Sequence, residues 1–250
     1  MTFKDFWTND NNPILEAGSS VLTTRQLVVW VVVIVAAVML SINFAQKTPK
    51  AKQVLLHVLA GALILFEIAS RIVNLCVTPN LTFGAVIKIL LPLEICSVVV
   101  WAIIVAIITK KQFLYEFAAV AGLFAMGAFL LFPAVGINRV FMSFTCIYST
   151  VSHIIGFVCS VLMLTFGLCK FDFDKIWHVY VCFALMFIWG ALFDFVVFPG
   201  SNYMYLIEPP LVSKSVIPYH IPYGIFIAVY IAIFYVVMHI KKKAQDKTKK

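Results

Sequence analysis

Apolar residues in this chain neither alternate nor keep to one helical stripe. They run on in blocks of about 20, separated by short polar stretches. Seven blocks can be drawn, at 26–45, 54–76, 84–109, 113–132, 141–169, 176–198 and 220–240. Each is long enough for a helix to cross a bilayer. An open strand would leave its backbone groups unsatisfied in lipid, and no alternating barrel pattern of about ten residues occurs, so helix is expected throughout. The expected fold is an all-α membrane protein, a seven-transmembrane helix bundle forming one domain over 26–240, between an amino-terminal segment 1–25 and a basic tail 241–250.

Composition agrees, with 63% hydrophobic and 12% charged residues. The polar start, with Lys4, Asp5, Asp10 and Glu16, does not read as a basic leader before a short cleavable core, so the first span is expected to stay as an anchor. Charge then sets the orientation. Lys47, Lys50, Lys52, Lys110, Lys111, Lys170, Lys175 and the tail lysines fall on one face of a seven-span arrangement, leaving Lys4, Arg25, Arg139 and Lys214 for the other. The lysine-rich face is expected to be cytoplasmic, with the amino terminus outside and the carboxyl terminus cytoplasmic.

A net charge of +8 spread over membrane-flanking loops, with no reading motif, excludes nucleic acid as a partner class and leaves membrane lipids. The basic tail reads either as an ordinary topology signal or as an anchor for anionic lipids. Cys76, Cys96, Cys146, Cys159, Cys169 and Cys182 lie in or at the ends of spans without C-x-x-C spacing. They are expected to be packing residues, a Cys76–Cys146 bond being the alternative. No metal or cofactor is expected.

Chemistry enters with the ionisable residues inside the apolar blocks, since a charge in hydrocarbon costs several kcal/mol unless it is paired or faces a wet cavity. Glu67, Arg71 and Asn74 in the second span are spaced i, i+4, i+7 and share a stripe about 20 Å along its course, with Glu placed before Arg as an ion pair prefers. They are either a latch between helices or part of a binding site. In the third span Pro92 should kink the helix and free carbonyls beside Glu94 and Cys96. Two residues apart, those side chains diverge by about 200° on a regular helix, so one pocket takes both only if the proline distorts the turn. Lys88 is expected to snorkel to the interface.

Cys146, Ser149, Thr150, His153, Gly156 and Ser160 give the fifth span a small and polar stripe around one imidazole. His57 and His178 are expected at the interface and Glu116 in solvent. Asp194 shares a stripe with Gly190 and leads into a long connection rich in proline and tyrosine, from Pro199 to Pro218, where Asn202 and Tyr203 would stand at a pocket mouth.

Phe66-Glu67-x-x-x-Arg71, Leu91-Pro92-Leu93-x-x-Cys96, Ser152-His153 and Gly200-x-Asn202-Tyr203-Met204-Tyr205-Leu206, taken together, resemble the YwaF-like family of seven-span bacterial membrane proteins over nearly the whole chain. That family has His where this chain has Glu94. It is distantly similar to eukaryotic multi-span acyltransferases and lipid hydrolases. The resemblance implies a bacterial plasma-membrane protein and two possible catalytic sets: Cys96 as nucleophile with His153 as base, or Glu94 serving a hydroxyl of Ser149, Thr150 or Ser152.

The expected function is an outward-facing polar pocket for a lipid or lipid-like ligand, lined by Glu67, Arg71, Glu94, His153, Asp194, Asn202 and Tyr203. An intramembrane acyltransferase or lipid hydrolase is the alternative. A small-solute or ion transporter is a further one, although no internal repeat or matching pair of broken spans is present. A retinal receptor is excluded because the last span contains no lysine.

Overall fold

The computed structural model describes Trp7 and residues 24–131, 144–204, 206 and 220–247. The described residues form helices and connections without strands: α1 (Thr24–Ala45), α2 (Pro49–Val77), α3 (Phe83–Leu90), α4 (Ile95–Thr109), α5 (Gln112–Leu131), α6 (Phe144–Thr165), α7 (Ile176–Ala191) and α8 (His220–Lys247). Among the described residues six helical stretches are long and apolar enough to span a membrane, or seven with the bent pair α3 and α4. Arg139, Tyr205, Lys214, most of the amino-terminal segment and the prolines at 209, 210 and 218 lie outside the described residues.

The third span is therefore two helices, bent by 52°. Leu91, disfavoured from helix by the proline after it, closes α3 in an extended conformation, and Glu94, also extended, is the residue before α4. α7 loosens in another way, its last turn widening into a π-helical Leu192–Val197 that places Asp194 inward.

The core lies where α4, α5 and α6 pack together, with α1 and α2 against α6, α7 against α5, and α8 on α7. Close approach of α5 and α6 depends on small residues. A Cβ on Gly122 would collide with the Ser160 hydroxyl, and one on Gly156 would press on Met126. Large apolar side chains of α1, α2, α7 and α8, such as Val31, Leu65, Ile188 and Ile233, face outward, as lipid-facing surfaces do. None of the six cysteines is in a disulfide bond.

Contacts such as Phe44 with Phe166 and Gln53 with the Ile107 carbonyl gather the lysine-bearing helix ends at one end of the bundle. Here one expectation is corrected. Glu116, expected in solvent, is buried because donors surround it: Gln112 Nε2 at 2.7 Å, the N–H groups of Lys170 and Phe171 at 3.2 and 3.1 Å, and the Tyr235 hydroxyl at 2.9 Å.

Candidate functional site

The other end holds a cavity of about 330 Å³ between α2, the α3–α4 break and α6. Its wall includes Arg71, Lys88, Glu94, Cys96, His153 and Tyr203. The helix break is what brings Glu94 and Cys96 together. Glu94 stands just before α4, free of its rotational register, while Cys96 sits in its first turn, so both reach a space that a continuous helix would deny to one of them. No hydrogen bond ties the Glu94 side chain to the helix it precedes.

The carbonyls released by the break are claimed from neighbouring helices. Arg71 Nη1 donates to the Ile89 carbonyl at 2.8 Å, and Trp189 Nε1 donates to the Pro92 carbonyl at 3.0 Å. Arg71 Nη2 reaches the Glu67 carboxylate at 2.7 Å and the Ser97 hydroxyl at 3.2 Å, so this side chain spans the break from α3 to α4. Glu67 itself is not in the cavity wall. It is 1% exposed, and its second oxygen accepts the Tyr148 hydroxyl of α6 at 2.6 Å. The pair is thus a latch joining α2, α3, α4 and α6, with Arg71 also facing the cavity.

His153 is placed with a defined proton. Its Nδ1 lies 2.6 Å from the Ser149 carbonyl oxygen, which can only accept, so this contact assigns the proton to Nδ1 and makes Nε2 the basic nitrogen. That Nε2 is buried without a hydrogen-bond partner. Phe129 stacks on the ring, centroids 3.7 Å apart, and fixes its plane. The imidazole of His153 and the thiol-bearing Cys96 thus belong to the wall of one cavity.

Asp194 and Asn202, expected in the pocket, are not among the lining residues. Asp194 is fully buried and accepts the N–H groups of Tyr203 at 2.9 Å and Met204 at 3.4 Å. Gly190, on the same stripe, has no side chain to obstruct Met204. Together they hold Tyr203 and Met204 against the end of this helix, with Tyr203 in the cavity wall. Of the hydroxyl candidates, Ser149 lines the cavity while Thr150 and Ser152 do not.

Lys88 lines the cavity as well, its ammonium 4.6 Å from the Phe198 ring centroid. Tyr148, Phe129 and Ser97 are participants that sequence reasoning passed over. Thr145, Tyr148, Ser149 and His153 recur at helical spacing, so the stripe in the fifth span carried a signal for Tyr148. Nothing local pointed to Phe129. Among the described residues no group of three or more His, Cys, Asp or Glu could hold a metal ion.

A family model described as the TMEM164 family matches residues 21–241. None of the curated proteins and none of the solved structures compared with the chain matches it.

Proposed function

The chain belongs to the TMEM164 family, a multi-span membrane family, and on that premise we propose that its intramembrane cavity receives an acyl lipid and that Cys96 and His153 transfer or hydrolyse the acyl group. One observation carries this reading: His153, whose Nε2 has no hydrogen-bond partner, and Cys96 line the same cavity. A cavity made only to hold a headgroup would not need an imidazole with its proton fixed on the far nitrogen.

In the first half-reaction Nε2 takes the proton of Cys96 Sγ, and the thiolate attacks the ester carbonyl carbon. The bond to the glycerol oxygen then breaks, and the imidazolium returns its proton to that oxygen. A thioester on Cys96 and a lysolipid result. In the second, Nε2 takes a proton from an acceptor hydroxyl or from water, whose oxygen attacks the thioester and restores the thiol. Arg71 and Lys88 supply positive charge for a phosphate, and Glu94 accepts a hydrogen bond or a cationic group of the substrate. The charge sorting of the loops supports a cavity opening toward the outer leaflet of the plasma membrane.

The test is to incubate purified protein with phospholipid carrying a labelled acyl chain and measure protein-bound label released by neutral hydroxylamine. Wild type is expected to form this thioester, Cys96→Ala to lose it, and His153→Ala to form it about 10²–10⁴ times more slowly. Equal label on Cys96→Ala would remove the catalytic assignment and leave the second reading, a lipid-binding protein, which the charged wall of Arg71, Lys88 and Glu94 favours.

A further inference from the structure

A second cavity, also about 330 Å³, lies at the lysine-bearing end, between the segment after α6 and the carboxyl-terminal half of α8. It shares no lining residue with the Cys96 cavity. Leu164, Phe171 and Met238 give it apolar walls, and Lys170 and Lys241 bring two ammonium groups from two different elements.

One carboxylate bonds to both of the elements that carry these lysines. The Oε1 atom of Glu116 accepts the N–H groups of Lys170 and Phe171, and Phe171 is held at φ 49°, a left-handed conformation that costs a residue with a Cβ about 1 kcal/mol or more. The Oε2 atom accepts Tyr235 from α8. Beyond Tyr235, Met238 and Lys241 are three residues apart and so neighbours on the helix surface, and both line the cavity.

Among the described residues neither Lys170 nor Lys241 is in an ion pair, and Asp172, next but one in the chain to Lys170, does not line the cavity. The level matters too. The apolar span of α8 ends at Lys241 and that of α6 at Thr165, so the cavity stands where hydrocarbon gives way to headgroups.

We infer that this cavity is a binding site for an anionic phospholipid, its phosphate between Lys170 and Lys241 and its glycerol and upper chain carbons against Leu164, Phe171 and Met238. Two cations without a carboxylate in the wall favour a net negative headgroup over a zwitterionic one, and the apolar walls favour a lipid over a free anion.

The probe is dioctanoyl phosphatidylglycerol, titrated against the purified full chain in a neutral detergent by thermophoresis, beside dioctanoyl phosphatidylcholine and inorganic phosphate. Lys170→Gln and Lys241→Gln are each expected to weaken phosphatidylglycerol binding about fivefold, and Lys111→Gln, an equal charge loss at the same end outside this cavity, to leave it unchanged. Equal weakening by Lys111→Gln would reduce the effect to surface charge and overturn the site. Phosphatidylcholine binding as tightly as phosphatidylglycerol would overturn the anionic headgroup, and inorganic phosphate binding as tightly as the lipid would overturn the lipid. None of these results bears on thioester formation at Cys96, so this inference and the acyl-transfer reading fail separately.

Discussion

Removing Arg71 and Glu67 together should destabilise the protein by less than the sum of the two single removals. In Arg71→Leu the Glu67 carboxylate, 1% exposed, keeps only the Tyr148 hydroxyl, and the Ile89 carbonyl loses the donor that crosses the helix break. Breaking a buried pair by deleting one partner costs about 3–5 kcal/mol, because the other charge stays behind uncompensated. Glu67→Leu should cost less than Arg71→Leu, since Arg71 retains 18% exposure together with Ile89 and Ser97 as acceptors. The double variant buries no lone charge. Its cost should fall below the sum of the two singles by up to about 3 kcal/mol, the usual coupling for residues in contact. The assay is reversible unfolding in mixed micelles by dodecyl sulfate titration, read by circular dichroism for the four members of the cycle. Strict additivity, or an Arg71→Leu cost below about 1 kcal/mol, would refute the latch.

Asp194→Ala leaves the N–H groups of Tyr203 and Met204 without their acceptor, at about 1–3 kcal/mol each, and should speed chymotrypsin cleavage after Tyr203; an unchanged rate would show that Asp194 does not hold this segment in place. Gly122→Ala should cost about 1–3 kcal/mol through collision with Ser160, and Ser160→Ala in the same chain should recover most of it in the same unfolding assay. Burial, and secondarily the Glu116 carboxylate, hold the Cys169 thiol well above the usual thiol range, so the reactive thiolate is scarce at pH 7. Maleimide should therefore label Cys169 more slowly than the exposed Cys76, and raising the pH through the ordinary thiol range should leave Cys169 slow; mass spectrometry of timed samples checks both.

Helical class, the spans and the break at Pro92 were legible because each depends on residues near one another in sequence. Apolar run length decides whether a segment suits lipid, and a proline removes its own donor wherever the helix goes. The Glu67–Arg71 pair was legible for the same reason, both ends of the bond being one helical turn apart. Cys96 and His153 could be singled out as residues odd for their depth, and the structure puts both in one wall.

Glu116 and Asp194 show where that reading stops. Both are acids near span ends, and from the sequence one belonged in solvent and the other in the pocket. The structure buries both, because backbone N–H groups from outside their own helical turns, Lys170 and Phe171 far along the chain for Glu116 and Tyr203 and Met204 in the following loop for Asp194, turn toward them. The sequence by itself determined which stretches must be helix in lipid and which polar residues there needed a partner. Tertiary structure alone decided who the partners are, since hydrophobicity along a chain specifies the environment each residue requires and is silent on which helices lie side by side.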